Sequence, residues 1–150
     1  MIRSIILSVV FVSFFLPRML FSQDVILTSQ ADVDAFDSAT TTINGNLNIK
    51  GYQSFLDPIT NLSNLSNLTT ISGYLYIKSN NALNNVDGLS NLAAISGGLY
   101  IEYNASLTNV DGLSNLTTIS GDLYIFNNDA LSNLDGLSNL TTFRWIIYYV

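Results

Sequence analysis

The sequence contains no cysteine and no histidine. Without cysteine there is no disulfide framework and no thiolate metal site. Without histidine the commonest general base and the commonest metal ligand are both missing. A zinc site, a Ser-His-Asp triad and a Cys-His pair are therefore excluded, and no cofactor or metal is implied. Basic residues are scarce as well: five against eleven acids, for a net charge of −6. Two of the five, Arg3 and Arg18, lie near the N-terminus; without them Lys50, Lys78 and Arg144 face eleven acids, a net of −8. Such a surface repels phosphate backbones, so nucleic acid is not an expected partner.

Long apolar runs are also missing. The longest, Ser4 to Leu16, spans thirteen residues and ends at Pro17. A membrane helix needs about 20. A short positive start (Met1-Ile2-Arg3), this apolar run and the polar Gln23-Asp24 read as a signal peptide over residues 1–22, cut after Ser22. Leu20 at the −3 position and the late Arg18 depart from the usual pattern, and the alternative is an uncleaved N-terminal anchor. The mature chain is expected to be secreted or on the cell surface, with no membrane span of its own.

What the sequence does have is repetition. Leu65, Leu89, Leu113 and Leu137 open similar segments at a spacing of 24. The block Ile71-Ser72-Gly73-Tyr74-Leu75-Tyr76-Ile77 returns at Ile95 to Ile101 and at Ile119 to Ile125; a degenerate copy at Ile43 to Ile49 is offset by 28. A fixed period of this size marks a solenoid. Within one repeat the apolar positions are Leu89, Leu92, Ile95, Leu99, Ile101, Leu107 and Val110, which is not a helical period. Leu99-Tyr100-Ile101 alternates as a strand does. Gly97 or Gly98 is expected to bend the chain through a positive φ, and Asp87-Gly88, Asp111-Gly112 and Asp135-Gly136 are expected to form corners. The fold class is all-β, a solenoid with turns of about 24 residues. Residues 23–42 are expected to cap its open first turn and residues 43–150 to form the array.

The C-terminal segment departs from the pattern. Phe143 takes the place of Ile119, but Arg144 to Val150 loses the Ser-Gly corner and no polar cap follows. This reads as an array truncated at its C-terminus, or as a capping strand that docks on a partner.

The turn Leu-Ser-Asn-Leu-Thr-Thr-Ile-Ser-Gly-Asp-Leu-Tyr-Ile at 113–125 and Asn-Val-Asp-Gly-Leu at 109–113 resemble receptor L-domain repeats. They are most similar to those of secreted surface proteins of Bacteroidetes-type bacteria. Fungal cell-wall proteins are a weaker match, and growth-factor-receptor L domains a more distant one, since those sit beside cysteine-rich modules. The resemblance covers about residues 23–143. It implies a right-handed, leucine-rich β-helix, export, surface exposure and often a C-terminal sorting domain, which this chain lacks.

Candidate sites follow from the columns that a 24-residue period creates. Tyr76, Tyr100 and Tyr124 form an outward aromatic column, with Lys78, Glu102 and Phe126 in the next. Such a stripe can bind a sugar or anchor a protein partner, or simply stack across strands. Asn80, Asn104 and Asn128 form a column whose amides can ladder through the interior and satisfy corner backbone groups. Asp87, Asp111 and Asp135 form an acidic column, better suited to Asx-turns than to calcium, because the Gly-Gly-x-Gly-x-Asp pattern is missing. Asn61, Asn64, Asn67, Asn104, Asn115 and Asn139 begin Asn-x-Ser/Thr triplets, which a bacterial source would leave bare. The leading function is a non-catalytic recognition or adhesion module for a surface protein or glycan. The second is a structural spacer without a ligand. Polysaccharide processing ranks third, because the acids stand in isolated columns and do not converge.

Overall fold

The computed structural model describes residues 23–51, 56–144 and 146–149. The signal peptide expected over 1–22 lies outside them.

The chain is mostly β, with two parallel sheets. The larger sheet contains β1 (Val25–Leu27), β3 (Leu47–Lys50), β5 (Leu75–Lys78), β7 (Leu99–Glu102), β9 (Leu123–Phe126) and β10 (Ile146–Tyr149), neighbours in that order. The smaller sheet contains β2 (Thr42–Ile43), β4 (Thr70–Ile71), β6 (Ala94–Ile95) and β8 (Thr118–Ile119). A further parallel bridge joins Thr118 to Thr142. From β1 to β9 strands therefore alternate between sheets along the chain, and each pairs with its counterpart one repeat away.

Register follows the sequence period. Leu75, Leu99 and Leu123 are successive partners, as are Ile77, Ile101 and Ile125. The β3–β5 pairing matches Leu47 with Leu75, which accommodates the longer first interval. Because side chains alternate along a strand, a slip by one residue would turn every Leu and Ile outward. The seven apolar positions of the repeat starting at Leu89 are all fully buried. Each carries about 1.5–3 kcal/mol of burial free energy, and that burial exists only where a neighbouring repeat covers it.

Between the two sheets the chain makes one short 3-10 turn per repeat, at Ser63–Leu65, Asp87–Leu89, Asp111–Leu113 and Asp135–Leu137. In three of them the middle residue is glycine, and packing is the reason. A Cβ on Gly112 would strike the Val86 carbonyl, and one on Gly136 the Val110 carbonyl, both backbone atoms of the preceding repeat. No glycine among the described residues has a positive φ. The expectation that Gly97 or Gly98 supplies one is thus corrected: a Cβ on Gly97 would sit 2.6 Å from the Gly73 carbonyl oxygen. These glycines let successive backbones stack closely. The positive φ angles lie one corner later, at Ser79, Tyr103 and Asn127 (57°, 56° and 50°).

The first described segment adds an element that strand periodicity did not reveal. Residues Gln30–Asp34 form a short helix, α1, whose buried Val33 joins the core. Ser29 and Asp32 form a reciprocal capping box. The Asp32 carboxylate accepts from the Thr28 amide (2.7 Å), the Thr28 hydroxyl (2.8 Å) and the Ser29 amide (3.1 Å). Burial pushes this carboxyl's pKa up, but the Thr28 and Ser29 donors outweigh it and leave it below the usual value.

Candidate recognition face and asparagine columns

The outward face of the larger sheet carries Tyr76, Tyr100 and Tyr124 as direct cross-strand partners. Their strands each show buried residues alternating with half-exposed ones, so the rings stand on the solvent side. The column runs on to Asn48 and then Ile26, which is exposed. Tyr76 and Tyr100 stack nearly parallel, with centroids 4.5 Å apart at 14°. Tyr124 is tilted against Tyr100 at 6.2 Å, and Tyr74 touches both Tyr76 and Tyr100 at 6.0 Å. Since Tyr76 and Tyr100 cover one another's faces, this pair offers solvent mainly ring edges and hydroxyls.

Charge is tied down beside the rings. Lys78 and Glu102, partners in register, form an ion pair of 2.9 Å. Lys78 also sits 5.3 Å from the Tyr103 ring centre, and Lys50 sits 5.8 Å from that of Tyr76. The Glu102 hydrogen bond raises the Lys78 pKa. Burial raises the Tyr76 phenol, helped by Tyr74 and Glu102 and opposed by Lys78. Burial also raises Tyr100, with Tyr76 and Asp122 adding to the effect.

Inside the corner behind this face, Asn80, Asn104 and Asn128 are buried. The Asn128 Oδ1 accepts from the Asn104 backbone amide (3.1 Å) and its Nδ2 (3.0 Å); the Asn104 Oδ1 accepts likewise from Asn80 (3.0 and 3.2 Å). Each Nδ2 also donates to a carbonyl of the preceding repeat: Asn80 to Ile49, Asn104 to Ile77 and Asn128 to Ile101. The ladder thus satisfies the buried amides of Asn80 and Asn104, which follow the left-handed corner residues Ser79 and Tyr103. It stops at the Asn80 Oδ1, which is buried without a partner among the described residues.

Two exposed asparagine columns escaped sequence reasoning. Asn67, Asn91, Asn115 and Asn139 donate to the carbonyls of Ser38, Ser66, Ser90 and Ser114 at 2.6–2.8 Å. Asn85, Asn109 and Asn133 accept from the amides of Asp87, Asp111 and Asp135 at 3.0–3.1 Å. The Asx-turns expected of the three aspartates are therefore made by the asparagine two residues earlier, and the aspartates head the 3-10 turns. The signal was available, since each Asp-Gly follows Asn by two positions.

Among the described residues no group of three or more acidic side chains is placed to hold a metal, and no helix is long and apolar enough to cross a membrane. No curated protein and no solved structure matches the chain significantly. The receptor L domain family matches it twice, over residues 40–108 and 93–146, so two overlapping copies of the family pattern span the stacked repeats. On that match, and on parallel strands whose register follows the repeat, the chain belongs to the receptor L domain family.

Proposed function

We propose that the chain is the non-catalytic recognition module of an exported surface protein, binding a protein or glycan through the face centred on Tyr76, Tyr100 and Tyr124. The observation that carries this reading is the in-register aromatic column on the outward side of the larger sheet. Aromatic side chains bury large area at low entropic cost, which is why they anchor interfaces. Membership of a family named for receptors supports a recognition role over a catalytic one. In the same reading the array is a right-handed, leucine-rich β-helix like those of Bacteroidetes-type surface proteins. Residues 1–22 direct export, and residues 23–42 cap the first turn. The strand and capped helix of that segment, packed on the core, support the last assignment.

The test is binding of residues 23–150 to glycan and surface-protein arrays, beside a variant with Tyr76, Tyr100 and Tyr124 all replaced by Ser. Binding lost in a variant whose circular dichroism stays native supports recognition by this face. Equal binding by both proteins overturns it.

The Tyr76–Tyr100 stack favours a second reading, a spacer whose rings only hold strands together. Cross-strand pairs of this kind contribute about 0.2–1 kcal/mol each. A spacer predicts no array binding by either protein and a small stability loss for Tyr100→Ser.

A further inference from the structure

The left-handed corner carries a feature that the tyrosine column does not explain. Ser79, Tyr103 and Asn127 occupy equivalent places in three successive repeats, all at positive φ. Asparagine accepts this conformation through its short polar side chain, whereas a bulky aromatic residue is an outlier there. Tyr103 nevertheless holds it and is 43% exposed. Two residues along, the equivalent places are filled by Asn81, Ala105 and Asp129. These six residues line one open groove.

The lattice explains the groove's shape. Repeats stack about 4.8 Å apart, so Asn81 and Asp129 stand about 10 Å apart on either side of Ala105. The small alanine makes a floor between two longer polar side chains, and Tyr103 lines the same groove. One side of that ring is held by the Lys78 ammonium, and Phe126 meets it nearly edge-on at 78°. These two contacts orient the ring.

The lining also specifies chemistry. The Asn81 Oδ1 accepts from the Ala105 amide, and the Asn81 Nδ2 makes no hydrogen bond among the described residues. The side chains of Asn127 and Asp129 have no hydrogen-bond partner among the described residues. Amide donors, amide and carboxylate acceptors, and a hydroxyl at Ser79 thus surround an aromatic ring. A lone carboxylate is too few ligands for a divalent cation. The same carboxylate, on an acidic chain, disfavours an anion. An apolar ligand would strand the amides. A neutral polyol with one C–H-rich face satisfies every group. We infer that this corner groove is a binding site for a neutral saccharide, with Tyr103 as its ring platform and Asn81, Asn127 and Asp129 as its hydroxyl partners. The groove shares no lining residue with the tyrosine column, although Phe126 touches both Tyr103 and Tyr124.

The test uses proton–nitrogen NMR of residues 23–150, titrated to millimolar concentration with cellohexaose, xylohexaose and mannohexaose in turn. At least one sugar is expected to shift the Asn81 and Asn127 side-chain amides and the Tyr103 and Ala105 backbone amides. Tyr103→Asn and Asp129→Ala should each weaken that binding about tenfold or more, the loss of a platform or of a charge-assisted hydrogen bond. Tyr103→Asn is the decisive variant, because asparagine suits the left-handed corner and the fold should tolerate it. Absence of groove shifts with all three sugars would overturn the inference, as would undiminished binding in both variants. Shifts confined to Tyr76, Tyr100 and Tyr124 would also overturn it, while supporting the tyrosine face.

Discussion

Replacing Asn104 by alanine tests the buried ladder. The Asn104 side chain is fully buried and takes part in four hydrogen bonds: two from Asn80, one to Asn128 and one to the Ile77 carbonyl. Truncation strands the Asn80 backbone amide, because its acceptor is the Asn104 Oδ1. The Asn80 Nδ2 keeps its bonds to Ile49 and Lys78. One buried orphan donor costs about 1–3 kcal/mol, and each lost amide bond about 1 kcal/mol more. With three further bonds lost the sum is about 4–6 kcal/mol, a large share of the 5–15 kcal/mol typical of a domain. The control is Asn115→Ala, which removes one exposed bond to Ser90 and should cost at most about 1.5 kcal/mol. Urea unfolding followed by circular dichroism reads both, provided the m value is unchanged. An Asn104→Ala loss no larger than that of Asn115→Ala would refute the reasoning.

Gly112→Ala should destabilise the chain by about 1–3 kcal/mol, since its Cβ meets the Val86 backbone and the repeats must separate; thermal unfolding checks this. Tyr103→Asn should raise stability by about 1 kcal/mol by relieving a strained corner, readable in the same scan. Tyr76 and Tyr100 have raised folded pKa values. Their contribution is therefore complete below the unfolded value of about 10 and is lost as pH rises through the folded values. Tyr76→Phe and Tyr100→Phe should flatten that alkaline loss in unfolding midpoints measured against pH. Asp32 has a lowered folded pKa, so its contribution is present above about 3.9 and is lost as pH falls. Asp32→Asn should remove that part of the acid sensitivity.

The parallel pairing was legible because one period governs everything: leucines at equal spacing end as cross-strand partners. Leu99-Tyr100-Ile101 declared its strand by alternation alone. The corners were harder, because two physical demands select the same residues. Glycine serves positive φ or close approach, and here close approach decides, with Ser79, Tyr103 and Asn127 taking the positive φ. Asn and Asp compete for the same turn roles, and Asn85, Asn109 and Asn133 take the one assigned to the aspartates. Helix α1 escaped notice because five residues hold too little periodicity, although Ser29 and Asp32 at capping-box spacing marked it. The groove at Tyr103 had no motif, since its residues meet only across three repeats.

The proposed recognition face and the groove both rest on repeats that stack in register, and the absence of cysteine makes that directly measurable. Tyr76→Cys with Tyr100→Cys places two cysteines on neighbouring strands, their Cα atoms about 4.8 Å apart, within the Cα–Cα range of about 4.4–6.8 Å that a disulfide spans. Tyr76→Cys with Tyr124→Cys places them two strands apart, at about 10 Å, beyond that span. Mild oxidation followed by mass spectrometry of the intact monomer should find the first pair cross-linked and the second reduced. Equal cross-linking of both pairs, or cross-linking of the second alone, would contradict the stacked register from which the whole account is built.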